Sequence, residues 1–335
     1  MVKVLCIGDP HIKVTNMVES EQMLEKLIEI TNEKKPDFIV CLGDVLDRHS
    51  NIHVSCLMMA EKMVDKLSSL CPFYLLVGNH DRPNNSNFLT NEHPFNAMKK
   101  WTNVTIVDVF EKLEIDGKKF LFLPYVAPGR LEEAIQIAMK DKNEGGSEDI
   151  RSYVSIFIHS EIYKCKMGAI VSEQGDKYPL DYPLAISGHI HDYDHLQTNV
   201  IYVGTPIQQT YSEAQNKCIS LFTFEETWSQ ERIDLGLMKK VTVYITPEEV
   251  GTYVVPKDKM VKLVVRGSEA AIKTISKVSK IQELKKAGVK VVFKTIQQDL
   301  PLNKFTQKMS YAERLQSEIS HDPQALAWYN KIFSS

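Results

Sequence analysis

Four short apolar runs in this chain each end at a glycine that is followed at once by carboxylate, amide or imidazole side chains. In chain order the four motifs are Gly8-Asp9-Pro10-His11, Gly43-Asp44-Val45-Leu46-Asp47, Gly78-Asn79-His80-Asp81 and Gly188-His189-Ile190-His191. A lone histidine, His159, closes the apolar run 154–158. Loops from distant parts of a chain converge at the strand ends of α/β sheets, and glycine lets the backbone turn sharply there. The motifs therefore predict a sheet protein whose strand ends form one polar site.

The segments between the first runs have the apolar spacing of amphipathic helices. They predict helices over 18–35 and 52–70, between strands over 3–7, 38–42 and 73–77. Strands alternating with helices are typical of an α/β fold with a layered core.

From residue 104 to residue 125 the pattern changes to strict alternation. The Asp116-Gly117 pair marks a tight hairpin turn, so we expect antiparallel strands to be added here. A helix over 130–140 should follow. Further strands are expected over 154–158, 184–187, 200–203 and 219–224.

After a polar segment over 225–240, a second and smaller cycle of elements begins. We expect strands over 241–245, 260–265 and 289–293, with a helix over 268–287. Capping signals near Ser310 and Asp322 predict two final helices. The expected organisation is a domain over 1–230, a small α/β unit over 238–300 and C-terminal helices over 301–335.

Charge is unevenly distributed along the chain. Residues 236–335 contain 17 Lys and Arg against 9 Asp and Glu, whereas residues 1–235 contain 23 against 34. The overall net charge of -3 argues against a uniformly basic nucleic-acid binder. The basic last third could meet a polyanion, or it could be an ordinary solvated lysine-rich face.

Composition and cysteine usage indicate a cytoplasmic protein that does not enter a membrane. The first apolar run is too short for the core of a signal peptide, and no unbroken apolar stretch reaches the roughly 18 residues of a spanning helix. The 6 cysteines show no C-x-x-C spacing, so we interpret them as reduced core thiols.

The motif side chains offer oxygen and imidazole nitrogen but no thiolate. This mixture excludes a thiolate-rich zinc site and suits Mn²⁺, Fe²⁺ or Zn²⁺. Two such cations, roughly 3.5 to 4 Å apart, can share a hydroxide and stabilise both the attacking and the leaving oxygen of a phosphoester.

The ordered set D-x-H, G-D-x-x-D, G-N-H-D, H and G-H-x-H resembles the calcineurin-like metallophosphoesterase superfamily over about residues 1–225. The resemblance implies a layered α/β/β/α sandwich with two divalent metal ions. It assigns Asp9, His11 and His191 to one ion and Asn79, His159 and His189 to the other. Asp44 would bridge the two.

The same resemblance gives roles to three residues outside the ligand set. His80 would contact the phosphate and help the leaving oxygen depart, and Asp47 or Asp81 would fix its orientation. His49, His53, His93, His195 and His321 lack such context, and we expect them to be ordinary surface residues.

Three further traits resemble the SbcD-like nuclease subunits of double-strand-break repair, including phage recombination nucleases. They are Ser160-Glu161 after His159, the segment Tyr202-Val203-Gly204-Thr205-Pro206 with Ser212-Glu213 after it, and the small α/β unit that follows the core. The resemblance implies a Mn²⁺-dependent DNA exonuclease and endonuclease that forms a homodimer. It also implies a capping unit that contacts DNA, and an SbcC-like ABC-type coiled-coil ATPase partner that the C-terminal helices could bind.

Two other functions stay open on the sequence alone. The same metals could serve a phosphatase or a cyclic-nucleotide phosphodiesterase acting on small substrates, which would show no salt-sensitive DNA binding. Alternatively, the fold could be a non-catalytic scaffold; every expected ligand position holds a competent residue, which argues against this alternative.

Overall fold

The apolar runs form strands and most of the amphipathic segments form helices in the computed structural model of the chain. The structure describes residues 1–49, 51–140 and 148–296 together with Tyr329. Its strands are β1 Val2–Ile7, β2 Phe38–Cys41, β3 Phe73–Leu76, β4 Val104–Val107, β5 Glu111–Ile115, β6 Lys118–Phe122, β7 Ser155–His159, β8 Lys166–Met167, β9 Ile170–Val171, β10 Leu184–Gly188, β11 Asp194–Gln197, β12 Val200–Tyr202, β13 Ile219–Phe224, β14 Trp228–Ile233, β15 Lys239–Ile245, β16 Lys259–Gly267 and β17 Lys290–Thr295. Its helices are α1 Met17–Lys34, α2 Val54–Ser68, α3 Leu131–Met139, α4 Glu269–Ile275 and α5 Ser279–Lys286.

Two six-stranded sheets carry the first two thirds of the chain. The first has the order β14-β13-β1-β2-β3-β4, and its strands from β1 to β4 are parallel. The second has the order β11-β12-β10-β7-β6-β5, with β6, β7, β10 and β12 parallel. The expected hairpin joins β5 to β6, where Asp116 and Gly117 both have positive φ, as a type I′ turn requires.

Alternate residues of the central strands face different cores. On β1, Val4 and Cys6 belong to an apolar cluster shared with Phe157 of the second sheet, whereas Leu5 and Ile7 pack with residues of α1 and α2. On the second sheet, β7 turns Ile156 and Ile158 toward a cluster that contains α3. This arrangement gives the layer order helix, sheet, sheet, helix. The predicted α/β/β/α class is confirmed.

Aromatic rings fill the space between the two sheets. Phe38 of the first sheet makes edge contacts with Phe120 and Phe157 of the second, at centroid separations of 5.4 and 6.1 Å. Each of these side chains is fully buried, and burying one such side chain contributes about 1.5–3 kcal/mol. Packing between the sheets is therefore a major source of stability for the sandwich.

Two expectations about individual elements were wrong, and one edge strand was not predicted. Strand β4 pairs parallel to β3 and not antiparallel, because alternation reports burial but does not set strand direction. The polar segment 225–240 contains β14, an edge strand of the first sheet with many solvated side chains. The single helix over 268–287 is two helices, α4 and α5. Ile272 and Ile281 are nine residues apart and would lie on opposite faces of a continuous helix; with the break, Ile281 is buried and Ile272 is half-buried.

Contacts divide the chain into two compact units. The first comprises Met1–Val243, Val254–Lys262 and Gly288–Lys290; the described part of the second comprises Tyr244–Tyr253, Leu263–Ala287, residues 291–296 and Tyr329. Strands β15, β16 and β17 form a separate three-stranded sheet. The domain limits at 230, 238 and 300 stay predictions, and the C-terminal helices over 301–335 lie outside the described residues except for Tyr329. Within the described ranges, no helix is both long enough and apolar enough to cross a bilayer.

Candidate metal centre

The predicted ligands follow the carboxyl ends of five parallel strands. Those of β1, β2 and β3 meet at one edge of the first sheet, and those of β7 and β10 meet at the adjoining edge of the second. His159 at the end of β7 is in register with Gly188 at the end of β10. The parallel order therefore brings together residues that lie up to 182 positions apart in the chain, as Asp9 and His191 do.

One group of three ligand atoms comes from Asp9, His11 and His191. These atoms lie within 4.8 Å of one another, and the Nε2 atoms of His11 and His191 are 3.0 Å apart. Two neutral imidazoles cannot direct two lone pairs at each other at this distance unless a proton or a cation lies between them. The group matches the set expected for one ion.

The second group comes from Asp44, His159 and His189, whose ligand atoms also lie within 4.8 Å of one another. The Oδ1 atom of Asn79 lies 3.0 Å from His159 Nε2 and 3.1 Å from His189 Nδ1. His159 donates its Nδ1 hydrogen to the Leu42 carbonyl at 2.7 Å. That hydrogen bond fixes the ring and turns Nε2 toward the centre.

Asp44 lies between the two groups. Its Oδ2 atom is 3.4 Å from His159 Nε2 and 3.8 Å from His11 Nε2, while its Oδ1 accepts a hydrogen bond from the His80 amide at 2.8 Å. The structure thus brings all seven expected ligands together, with Asp44 in the position that a shared ligand needs.

Three of these residues have left-handed backbone conformations. His11, Asp44 and His189 have φ values of 45°, 48° and 81°, which non-glycine residues adopt at a cost of roughly 1 kcal/mol or more. Gly78 is required for a different reason: a Cβ atom there would lie 2.2 Å from Asp44 Oδ1. Such strain and close approach are typical of functional sites.

Burial shifts the protonation of the cluster. It lowers the pKa of His11 and of His189 to about 3, so both imidazoles are neutral at pH 7, as metal binding requires. It also raises the pKa of Asp9 to about 7. Burial opposes the charged forms of Asp44 and His159 too, but their mutual attraction wins: it holds the Asp44 pKa below its usual range and raises the His159 pKa to about 9.

These observations fit a pair of divalent cations. The buried Asp9 Oδ1 and His11 Nδ1 atoms have no hydrogen-bond partner among the described residues, although buried polar atoms normally have one. A cation beside Asp9 would favour its ionised form, and one at His159 would take the place of its Nε2 proton. The nitrogen and oxygen donors suit Mn²⁺, Fe²⁺ or Zn²⁺.

His80 lies beside the ligand cluster and is half-buried. Its Nδ1 donates a hydrogen bond to the main-chain oxygen of Asp47 at 2.8 Å, so Asp47 contacts it through the backbone and not through the carboxylate. A ligand atom of His80 lies within 4.8 Å of those of His11 and Asp44. His80 is therefore close enough to act on a phosphoester held at this centre.

The carboxylates of Asp47 and Asp81 have other partners. Asp47 Oδ1 accepts a hydrogen bond from Lys13 Nζ at 3.0 Å and lies 3.8 Å from His11 Nδ1. Asp81 is buried and accepts hydrogen bonds from the amides of Val45, Leu46 and Gly78. Asp81 thus ties the loop that carries Asp44 to the loop that carries His80.

The expectation that His49 and His93 are ordinary surface residues was wrong. The ring of His49 stacks on His80 with centroids 4.6 Å apart. The side chain of His93 is fully covered and pairs with Asp108 at 3.1 Å. His49 stands five residues after Asp44, and that nearness to a motif was the one available signal.

A two-sheet sandwich with two clusters of His, Asp and Asn ligands along one edge defines the class of metal-dependent phosphoesterases. Comparison with known proteins agrees: residues 2–193 match the family model described as calcineurin-like phosphoesterase. The chain belongs to this family and is a metal-dependent hydrolase.

Two viral proteins are similar along most of the chain. "Putative phosphoesterase 078R" of Invertebrate iridescent virus 3 is 38% identical over 298 residues, covering 88% of this chain and 84% of its own. "Putative phosphoesterase 244L" of Invertebrate iridescent virus 6 is 34% identical over 284 residues, covering 82% of this chain and 97% of its own. The similarity therefore extends beyond the stretch that matches the family model.

Proposed function

We propose that this metallophosphoesterase is a Mn²⁺-dependent nuclease that hydrolyses DNA phosphodiester bonds as an exonuclease and endonuclease in repair or recombination. The observation that carries hydrolysis is the double ligand cluster sharing Asp44, with His80 at its side. The choice of DNA depends on the resemblance to repair nucleases and on the basic last third of the chain.

The residues have separable roles in such a reaction. Asp9, His11 and His191 would hold one cation, Asn79, His159 and His189 the other, and Asp44 both. When bound, the cations polarise the phosphate and lower the pKa of bound water toward 7. The chain itself supplies orientation: the Leu42 carbonyl fixes the His159 ring, and the His189 amide donates a hydrogen bond to Asp9 Oδ2 at 2.8 Å.

His80 is placed to handle the leaving oxygen. Its Nδ1 hydrogen is used by the Asp47 carbonyl, which leaves Nε2 for the substrate. A protonated Nε2 can donate a hydrogen bond to a phosphate oxygen and then transfer its proton to the departing alkoxide. The stacked ring of His49 limits rotation of the His80 ring.

The residues that resemble repair nucleases make hydrogen bonds within the segment that follows the ligand His159. The Tyr202 hydroxyl accepts a hydrogen bond from the Ile162 amide and donates one to the Ser160 carbonyl. Glu161 accepts a hydrogen bond from the Ser172 hydroxyl. Both contacts order the segment that follows His159.

Cleavage of DNA by the full chain tests the proposal. With Mn²⁺ we expect hydrolysis of duplex and hairpin DNA, and we expect DNA binding to weaken at least about tenfold between 50 and 200 mM salt because phosphate contacts release counterions. Hydrolysis of bis-p-nitrophenyl phosphate, a small phosphodiester that releases p-nitrophenolate, is measured in parallel. Rapid turnover of that probe with no DNA cleavage would instead favour a small-substrate phosphoesterase.

We further propose that the protein forms a homodimer through the first turns of α1 and α2. Val18, Val54 and Met58 expose between 61% and 70% of their surface there, and Val14, just before α1, exposes 55%. Helices α1 and α2 pack together, and exposed apolar side chains on packed neighbouring helices are of the kind that marks protein interfaces. A second copy of the chain is the occupant that the family resemblance implies.

Sedimentation of the Met58→Lys variant tests this interface. We expect the wild-type chain to sediment as a dimer and the variant to dissociate at least about tenfold more readily, since the lysine charge would be buried against apolar groups. Met238→Lys, which changes another exposed methionine, is the control and should stay dimeric. A wild-type chain that is monomeric at all concentrations contradicts the proposal.

The ABC-type ATPase partner stays a prediction. The segment proposed to bind it, 301–335, lies outside the described residues except for Tyr329.

The second unit, which we propose contacts DNA, carries Arg266 and the exposed lysines of α4 and α5.

A further inference from the structure

A buried set of polar side chains connects His11 to the segment that follows His191. Asn16 donates hydrogen bonds to the His11 carbonyl at 3.0 Å and to Gln209 Oε1 at 3.2 Å. Gln209 in turn donates from Nε2 to the Pro10 carbonyl at 2.9 Å. The loop after β12 is thereby attached to the loop that carries two ligands of the first group.

Glu213 continues this network to the imidazole of His191. Its Oε2 accepts a hydrogen bond from the Gln209 amide at 2.9 Å, and its Oε1 lies 3.7 Å from His191 Nδ1. Lys217 Nζ lies 3.2 Å from Glu213 Oε2 and donates to the His191 carbonyl at 2.7 Å. One ion pair therefore contacts both the side chain and the backbone of a ligand.

Burial of this ion pair costs desolvation free energy, so its stabilising effect alone does not explain why the pair is there. The side chains of Lys217 and Glu213 are 6% and 14% exposed, and a buried ion pair is often no more stabilising than apolar residues of the same size. Histidine ligands commonly direct their second ring nitrogen at a carboxylate, which fixes the tautomer and the ring orientation. The Glu213 carboxylate lies beside His191 Nδ1 and can accept its hydrogen, which would fix the tautomer and the orientation of the His191 ring.

We propose that Glu213 is a positioning residue of the metal centre. Its carboxylate favours the His191 tautomer with hydrogen on Nδ1, so that Nε2 presents a lone pair beside Asp9 and His11. Lys217 and Gln209 hold the carboxylate in place. Glu213 thereby sets the affinity of the Asp9, His11 and His191 group for its cation. The proposal rests on the metal centre of the proposed function and not on DNA as substrate.

Calorimetric titration of the EDTA-treated full chain with MnCl₂ tests this role. We expect two binding events in the wild type, and in Glu213→Ala a loss of about 10- to 100-fold in the affinity of one event, the usual effect of removing such a partner. Glu213→Gln keeps an oxygen facing His191 and should recover most of that affinity. Glu226→Ala, which removes an exposed carboxylate, should titrate like the wild type.

Turnover and folding measurements separate positioning from a structural role. With bis-p-nitrophenyl phosphate, Glu213→Ala should need about 10- to 100-fold more Mn²⁺ for half-maximal activity but regain kcat near the wild-type value at saturation. Its Tm in EDTA should stay within a few degrees of the wild-type Tm, because Lys217 Nζ keeps its ion pair with Asp192 at 2.8 Å and is not left as an unpaired buried charge. If Glu213→Ala does not fold, Glu213→Asp, whose shorter side chain withdraws the carboxylate from His191, carries the comparison and should weaken the same single binding event.

Two results would overturn the proposal. One is unchanged Mn²⁺ affinity for both events in Glu213→Ala. The other is an equal weakening of both events in Glu213→Gln together with a lowered Tm in EDTA, which would make Glu213 a folding residue. A wild-type chain that binds no Mn²⁺ would instead contradict the metal centre itself, so the two failures are distinguishable.

Discussion

Asp44→Asn should lower kcat/KM for phosphodiester hydrolysis at least about 1000-fold, which corresponds to roughly 4 kcal/mol of transition-state stabilisation. Asp44 Oδ2 lies within 3.8 Å of a ligand nitrogen in each group, so its charge serves both cation positions. A neutral amide of the same shape removes that charge from the centre of the cluster. The measurement is Mn²⁺-dependent hydrolysis of bis-p-nitrophenyl phosphate, combined with calorimetric titration of Mn²⁺.

Asp116→Asn is the matched control for this variant. It makes the same chemical change at an exposed turn residue with positive φ, a conformation that asparagine tolerates well. We expect wild-type activity and two Mn²⁺ binding events from it. If Asp44→Asn also retains both binding events and near-normal turnover, Asp44 is not the shared ligand and the division into two groups is incorrect.

His80→Ala should lower kcat about 100- to 10 000-fold, the usual range for loss of a general acid, while leaving Mn²⁺ binding intact. The expected loss depends on the substrate. A DNA phosphodiester expels a basic alkoxide that needs a proton, whereas p-nitrophenolate departs without one. The variant should therefore be impaired at least about tenfold more on DNA than on the p-nitrophenyl ester.

His195→Ala, at an exposed position on β11, is the control for His80→Ala and should be fully active.

Titration with Mn²⁺ distinguishes two roles for His80, general acid and metal ligand. Its ring lies close enough to His11 and Asp44 to contribute a ligand. Loss of a binding event in His80→Ala would mean that His80 holds a cation, and the role of general acid would then be wrong.

The ligand groups were the part of the molecule most open to sequence reasoning. Asp9 and His11 are two residues apart, as are His189 and His191, and each pair follows a glycine at the end of an apolar run. Local spacing of this kind can be recognised in the sequence without knowing how the strands pack. The same is true of the hairpin at Asp116 and Gly117, whose turn chemistry is set by two adjacent residues.

Features that depend on the tertiary fold could not be predicted. The direction of β4 depends on the path of the chain after β3, which alternation does not encode. Glu213 is 22 residues beyond His191 and reaches it only because the loop after β12 folds back. His49 stacks on His80 across two loops. No local pattern distinguishes His49 from a solvated histidine, and the resemblance that singles out Ser212-Glu213 does not reveal that Glu213 lies beside His191.

Each ligand group takes side chains from both sheets. Asp9 and His11 follow a strand of the first sheet and His191 follows one of the second; Asn79 belongs to the first sheet, while His159 and His189 belong to the second. A bound cation would thus be a cross-link between the two sheets, at the rim of their aromatic interface. Because an unfolded chain offers no such geometry, cation binding adds to the free energy of unfolding by mass action, about 2.7 kcal/mol at a concentration 100 times the dissociation constant. In this protein, resistance to unfolding and readiness for catalysis would rise together with the supply of metal.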